Sequence, residues 1–457
     1  MKLNPGIFKA YDIRGIYRKD MDEKTYYLIG QAIVKELRAK KIAVGHDARP
    51  SSLSLYKALI QGIVSTGAKV IALDLVTTPM VYFASHRLKV DGAVAVTASH
   101  NPPEWNGLKI CRRRAVPVGS DSGLDKIKDE VLQKAKNIEN VSLKSESQTK
   151  VVEKFDIKPI YYEYFSKFAE LGERKFKIVI DCANAMGVLE LPIFEKYLKK
   201  HFQVIRLYCD LKNAYQGCHE PNPLKTETLR DLQEKVKKEK ADLGLAYDGD
   251  ADRIGFVDEK GEIIPMDLVT ALIAEYFLSK PENKGATILY DLRSSRAVKE
   301  AIETNGGVAH ECRVGHAFIK KQMADEKAIF AGELSGHYYF QANANAEVST
   351  LAALIVLNMM AKENKPVSEF VEKLRKYHHS GEINFQVEDK DKILEKLKEK
   401  YKDGKLSTLD GIKIEYPHWW FNVRASNTEP LLRLNLEADS QELLQEKKKE
   451  LAQIIES

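Results

Sequence analysis

Three times along this chain a strand-like apolar run ends in an aspartate, turns through small or polar residues and gives way to a helical pattern. The runs are Ile42-Ala43-Val44-Gly45-His46-Asp47, Lys177-Ile178-Val179-Ile180-Asp181 and Thr287-Ile288-Leu289-Tyr290-Asp291. Their turns are Ala48-Arg49-Pro50-Ser51-Ser52, Ala183-Asn184-Ala185-Met186-Gly187 and Leu292-Arg293-Ser294-Ser295. Each unit later has a second apolar run that ends in an unusual loop. These are Ala93-Val94-Ala95-Val96 before Ser99, Leu243-Gly244-Leu245-Ala246-Tyr247 before Asp248, and Ala328-Ile329-Phe330 before Gly332-Glu333. Strands alternating with helices predict a mostly parallel α/β sheet in each unit. In such sheets ligands gather beyond the carboxyl ends of the strands, where all of these loops fall.

At 457 residues the chain is too long for one compact core. Polar and turn-rich segments divide it into expected α/β domains over residues 1–150, 151–257 and 258–364. Beyond Lys362-Glu363-Asn364-Lys365-Pro366, charged helices flank a short β region, which predicts an α+β domain over residues 365–457. The net charge of +5 is small, and mixed-sign runs such as 389–402 and 442–450 read as solvated helix faces. Such a balance argues against a nucleic-acid partner. The one basic cluster, Arg112-Arg113-Arg114, suits an anionic small molecule. Five scattered cysteines without a C-x-x-C pair argue against a disulfide framework and a structural zinc site, and favour a reducing compartment. No run approaches the roughly 18 apolar residues of a spanning helix, and the first residues lack the core of a signal peptide. A cytoplasmic protein with no membrane partner is expected. The composition leaves the oligomeric state open.

Two loops carry the chemistry. In Asp248-Gly249-Asp250-Ala251-Asp252-Arg253 the carboxylates alternate, so a turning backbone can aim all three the same way. Hard oxygen ligands with room for a phosphate oxygen or water suit Mg²⁺. A solvated acidic turn is the plainer reading of that loop alone. An EF-hand is a third, but Arg253 stands where its sharp turn needs glycine. In Thr97-Ala98-Ser99-His100-Asn101-Pro102 a serine follows a strand. No G-x-S-x-G elbow surrounds it, which counts against a hydrolase. A serine that stores a phosphoryl group fits better, with a cation and basic partners close by. The alternative for that loop alone is a serine capping a helix.

Six stretches occur in order across nearly the whole chain. They are Tyr11-Asp12-Ile13-Arg14-Gly15, the serine loop, Asn106-Gly107-Leu108-Lys109, the aspartate loop, Gly332-Glu333-Leu334-Ser335-Gly336-His337 and Arg424-Ala425-Ser426-Asn427-Thr428-Glu429-Pro430. In sequence and spacing they resemble the α-D-phosphohexomutases. That resemblance implies three similar mixed or parallel α/β domains plus a smaller C-terminal α+β domain, arranged around a central cleft. The loop Glu333-Leu334-Ser335-Gly336-His337 looks like the phosphomannomutase/phosphoglucomutase branch. Phosphoglucosamine mutases, which usually have Gln at the position of Leu334, are the nearest alternative. A metal-dependent phosphatase and a non-catalytic sugar-phosphate binder are the further ones.

The resemblance implies that Ser99 carries a phosphoryl group, gives it to a hexose phosphate and recovers the other phosphate from a hexose 1,6-bisphosphate intermediate. Asp248, Asp250 and Asp252, with an oxygen on phosphorylated Ser99, would hold Mg²⁺. Arg14, Lys109 and Arg253 would surround the phosphoserine, and His316 would serve acid/base steps. Glu333 and Ser335 would grip the sugar hydroxyls, with Gly336, His337 and Tyr11 nearby. Arg424, Ser426, Asn427 and Thr428 would clamp the phosphate that is not being transferred. Arg293 would bind substrate where the family often has Lys. The implied partners are small-molecule hexose phosphates.

Overall fold

A computed structural model describes residues 3–136, 151–425 and 431–456. The chain divides into two compact units, one of Met1–Ile264 with Ser335–Ser368, the other of Pro265–Leu334 with Glu369–Ser457. The boundary expected over residues 137–150 lies outside the described residues.

The first unit contains two mixed sheets built on one plan. In the first sheet the strand order is Ile13–Ile16, Trp105–Arg112, Gly92–Val96, Lys41–His46, Lys69–Leu75 and Val152–Lys154. The last four run parallel, and Trp105–Arg112 returns antiparallel beside Gly92–Val96. In the second sheet Leu243–Tyr247, Phe176–Asp181 and Phe202–Leu207 run parallel, and Ile254–Asp258 returns antiparallel beside Leu243–Tyr247. The serine loop and the aspartate loop therefore hold the same place in their sheets, between a buried parallel strand and its antiparallel return.

Parallel strands need crossovers, and capped helices supply them. Thr77 caps the helix Thr78–Arg87, its side chain accepting from the Met80 amide. The helices Glu23–Leu37 and Ser52–Val64 cross at glycine, since a Cβ at Gly62 would lie 2.0 Å from the Tyr27 carbonyl oxygen. Below these helices Ile42, Val44, Val94 and Val96 are fully buried, each apolar side chain contributing about 1.5–3 kcal/mol. The segment after Asp181 departs from the helix its pattern predicts. It forms a 3₁₀ turn over Met186–Leu189 and a π turn over Ile193–Tyr197. Pro192 lacks the amide a regular helix would use, and a Cβ at Gly187 would meet Tyr247 at 2.7 Å. The strands Tyr338–Phe340 and Ala346–Glu347 and the buried helix Ser349–Glu363 complete this unit.

The second unit carries parallel strands Val308–Cys312, Thr287–Asp291 and Phe330–Gly332, with helices that include His316–Glu326. It also carries an antiparallel sheet in the order His378–His379, Leu431–Ala438, Trp419–Ala425, Ile412–Glu415 and Lys405–Ser407. The helices Lys390–Lys400 and Gln441–Ile455 pack their apolar faces against that sheet, burying Leu397 and Leu451 with Phe421 and Leu434. Asp389 and Ser440 cap them, and the two charged runs, read as solvated helix faces, fall on these helices. Among the described residues no helix is long and apolar enough to cross a membrane.

Candidate active site

The strand Gly92–Val96 is buried throughout and delivers Ser99 to the first site. No helix begins there, so Ser99 is not a cap. Ser99 takes φ 51°, a left-handed conformation that costs a non-glycine residue on the order of 1 kcal/mol. A buried clamp offsets that cost. Arg49 donates to the carbonyl oxygens of Ser99 (2.6 Å), Asn101 (2.7 Å), Pro102 (2.6 Å) and Trp105 (3.2 Å). Its Nε lies 3.1 Å from Asp47 Oδ2, and its guanidinium stacks 4.2 Å from the centre of the Tyr215 ring. The parallel neighbours Lys41–His46 and Gly92–Val96 set this up, because their carboxyl ends bring the Asp47 amide within 3.0 Å of the Val96 carbonyl oxygen.

The aspartate loop packs directly on the serine loop. The Ser99 hydroxyl donates to Asp248 Oδ2 at 2.9 Å, and Arg253 donates to Ser99 Oγ at 3.2 Å and to the same Asp248 oxygen at 3.1 Å. The Lys109 ammonium lies 2.7 Å from Asp250 Oδ2 and also bonds Asp252. Asp248, Asp250 and Asp252 are buried, and one oxygen from each lies within 4.8 Å of the others. Thr78 fixes Asp250 by donating to its Oδ2 at 2.6 Å, while Asp250 Oδ1 is buried without a hydrogen-bond partner among the described residues. That donor set and that unpartnered oxygen fit a hard divalent cation. Glu259, the last position of an EF-hand, instead bonds Ser368.

Burial pushes the Asp248 carboxyl up to about 7, opposed by Arg253 and reinforced by Asp250 and Asp252. Burial works against the Lys109 charge, but Asp250 and Asp252 outweigh it and raise the ammonium above its ordinary range. Arg14 is held high in the same way, by Asp12 above all, and donates to Asn101 Oδ1 at 2.6 Å. His100 was not singled out by the sequence, yet its Nδ1 lies 3.2 Å from Ser99 Oγ and bonds Arg253. Burial, then Arg253, keeps its imidazole neutral.

Ser335, Gly336 and His337 join this cluster. The Ile254 amide donates to the Gly336 carbonyl at 3.1 Å, His337 Nε2 lies 3.3 Å from Asp252 Oδ1, and His337 Nδ1 lies 2.8 Å from Ser335 Oγ. Tyr11 is half-buried in the loop entering the strand Ile13–Ile16. Of the basic cluster, Arg112 is tied to Glu36 at 3.0 Å.

The second unit gathers another set of predicted residues. Arg293 forks onto Asp291 at 3.0 and 2.7 Å, reaches Glu382 at 3.2 Å and lies 3.8 Å from Glu333. Arg424 and Arg433 reach the same Glu382 at 3.0 and 3.2 Å. Burial, then Arg293, lowers the Arg424 pKa, and its buried Nε has no hydrogen-bond partner among the described residues. The Gly315 amide donates to Glu333 Oε1 at 3.1 Å, which sets His316 beside Glu333 at the start of its helix. Glu382 and Arg433 were missed, since neither stands in a recognisable motif. Ser426, Asn427 and Thr428 lie outside the described residues.

Four family models match in order. They are phosphoglucomutase/phosphomannomutase α/β/α domain I over residues 5–138, domain II over 159–261, domain III over 265–377 and the C-terminal domain over 382–454. The chain is 42% identical over 450 residues to a phosphomannomutase of Methanocaldococcus jannaschii, covering 98% of this chain and 97% of the relative. It is 36% identical over 453 residues to a phosphomannomutase/phosphoglucomutase of Pseudomonas aeruginosa, covering 97% and 94%. A crystal structure of a phosphoglucomutase/phosphomannomutase family protein from Burkholderia thailandensis superimposes with a TM-score of 0.87 at 29% identity, covering 99% and 97%.

Proposed function

The chain belongs to the phosphoglucomutase/phosphomannomutase family. It is a hexose-phosphate mutase, and we propose that it interconverts the 1- and 6-phosphates of mannose and glucose through a phosphoryl group carried on Ser99. One observation supports this above the rest. The hydroxyl of Ser99 on its left-handed backbone, three buried carboxylates and the cations Lys109 and Arg253 form one hydrogen-bonded cluster.

In this reading the P–O bond to Ser99 Oγ breaks as a hydroxyl oxygen of the hexose phosphate bonds phosphorus and releases its proton to a base. The resulting 1,6-bisphosphate turns around. Ser99 Oγ, reprotonated on leaving, then attacks the other phosphate; its proton is directed at Asp248 Oδ2, the P–O bond to the sugar oxygen breaks, and that oxygen takes a proton to leave as the product hydroxyl. Arg253 and Lys109 face the phosphoryl oxygens as charge-assisted donors, and Arg14 backs them. Asp248, Asp250 and Asp252, with an oxygen of phosphorylated Ser99, would hold Mg²⁺, which when bound neutralises and orients the phosphoryl group. Neutral His100 positions Arg253.

We assign Glu333 and Ser335 to the sugar O3 and O4 hydroxyls, and Gly336, His337 and Tyr11 to substrate binding. Those hydroxyls are common to glucose and mannose, which gives a physical reason for dual specificity. His316 is the acid/base candidate. Arg424, with Ser426, Asn427 and Thr428, is assigned to the phosphate that stays in place, and Arg293 supports it. Glucose 1-phosphate or mannose 1-phosphate, with Mg²⁺ and a trace of the 1,6-bisphosphate, is the test. The 6-phosphate should form. Release of free phosphate without isomer would make the protein a phosphatase, and turnover of glucosamine 6-phosphate alone would move it to the glucosamine branch.

A further inference from the structure

Behind the aspartate loop, two cysteines meet that no chemistry above uses. Cys182 follows the strand Phe176–Asp181 and Cys209 follows its parallel neighbour Phe202–Leu207. The Cys182 amide donates to the Leu207 carbonyl oxygen at 3.1 Å, so the sheet itself sets the two residues side by side. Their Sγ atoms share a hydrogen bond at 2.9 Å. A disulfide needs about 2.05 Å, so closing the pair asks for a shift of about 0.9 Å. The other three cysteines do not share this arrangement. Cys111 and Cys312 are buried apart, and Cys218 bonds the His219 carbonyl.

We propose that Cys182 and Cys209 are a reversible dithiol–disulfide pair, oxidised by exchange with a low-molecular-weight disulfide, and that closing it slows the mutase. Cys209 is half-buried and Cys182 fully buried, so Cys209 is the sulfur a reagent reaches. The hydrogen bond with Cys182 lowers the Cys209 thiol, and burial raises Cys182, which separates attacking from resolving thiol. The Cys209 thiolate attacks one sulfur of the reagent, forming a mixed disulfide and expelling one thiolate. Cys182 then gives up its proton and attacks Cys209 Sγ, expelling the second thiolate. Two protein thiols lose two electrons and two protons, and the reagent leaves as two thiols.

The pair sits one contact chain from the site. Ala183 and Asn184, directly after Cys182, are left-handed at φ 45° and 49°. The Asn184 amide donates to the Tyr208 carbonyl at 2.6 Å, and the Asn184 carbonyl accepts from the Tyr215 amide at 3.0 Å. The Tyr215 hydroxyl donates to the Gly249 carbonyl at 2.7 Å, and its ring backs Arg49. A sub-ångström pull at Cys182 therefore bears on the residue that holds both the aspartate loop and the arginine clamp.

The test treats the full-length protein with oxidised glutathione, digests it with trypsin under non-reducing conditions and maps the peptides by mass. Residues 178–196 and 207–212 should appear joined, and dithiothreitol should separate them. The Cys182→Ser variant should keep glutathione on Cys209 without a cross-link. Turnover of the linked form should fall roughly two- to tenfold and return on reduction. Glutathione persisting on Cys209 in the unaltered protein, or residues 178–196 joined to 213–225, would overturn the pair. A quantitative link with unchanged turnover would overturn its effect on the mutase.

Discussion

Gly249 backs onto Ser99 so closely that a Cβ at Gly249 would lie 2.1 Å from the Ser99 carbonyl oxygen. The atom it would strike is backbone, and Arg49 holds that same carbonyl from the other side. Gly249→Ala must therefore separate the serine loop from the aspartate loop. Overpacking of this kind costs about 1–3 kcal/mol, and a displacement near 1 Å costs up to about 100-fold in rate. Thermal melting alongside kcat/KM should show a small loss of stability and a large loss of activity. A variant with near-normal turnover would mean that the contact between the loops does not matter.

Arg49→Lys tests the clamp. Lysine keeps a positive charge near Asp47 but has no planar fork for four carbonyls or for stacking on Tyr215. Several buried acceptors lose their donor, at about 1–3 kcal/mol each before relaxation. A drop in the urea midpoint equivalent to roughly 2–4 kcal/mol is expected, with slower phosphorylation of Ser99. An unchanged midpoint would show that the carbonyls find other donors.

Glu190 gives a pH dependence from behind the aspartate loop, because its partners Thr77 and Thr350 adjoin Thr78 and Ser349, which bond Asp250 and Ala251. Its buried carboxyl is held by Thr77 at 2.9 Å and Thr350 at 2.8 Å, and burial pushes it up to about 7. The folded protein thus binds its proton more tightly than the unfolded chain does. The stabilisation is fully present below about pH 4.5 and is lost as pH rises through about 7, a change of a few kcal/mol. Urea unfolding of Glu190→Gln against the unaltered protein over this range should show a flatter pH response in the variant. Parallel curves would rule Glu190 out as the source.

Much of this was legible in the chain. The strand–aspartate–turn repeat was readable because a buried parallel strand must be apolar and its exit loop must not be. Asp248, Asp250, Asp252 and Ser99 stood out because acidic and hydroxyl groups rarely follow such strands without a task. Arg49 stands in a turn without any sign of its role, since its partners are carbonyls 50 to 56 residues away and carry no side-chain signature. Glu190 was silent for the same reason, with Thr77 and Thr350 at separations of 113 and 160 residues. The missing regular helix after Asp181 goes with Pro192 and with a backbone pressed so close to Tyr247 at Gly187 that a Cβ there would lie 2.7 Å away, which periodicity does not register.

In the second unit, three guanidinium groups share the Glu382 carboxylate while Arg293 is already matched by Asp291. Glu382 then acts as the internal counter-charge of the anion site proposed at Arg424. Glu382→Gln should tighten the binding of inorganic phosphate, and Arg424→Lys should raise KM for the hexose phosphate roughly tenfold, because lysine lacks the fork. Isothermal titration and steady-state kinetics read these separately. Weaker phosphate binding in Glu382→Gln would show that Glu382 orders the arginines rather than competing with phosphate.

A radioactive label reads most directly whether Ser99 carries the transferred phosphoryl group, as we propose. Protein incubated with Mg²⁺ and glucose 1,6-bisphosphate bearing radioactive phosphate should take up label on the peptide containing Ser99. A chase with unlabelled glucose 1-phosphate should move that label into the sugar bisphosphate and 6-phosphate, and Ser99→Ala should take up none. Label leaving as inorganic phosphate, or mutase turnover persisting in Ser99→Ala, would contradict the account.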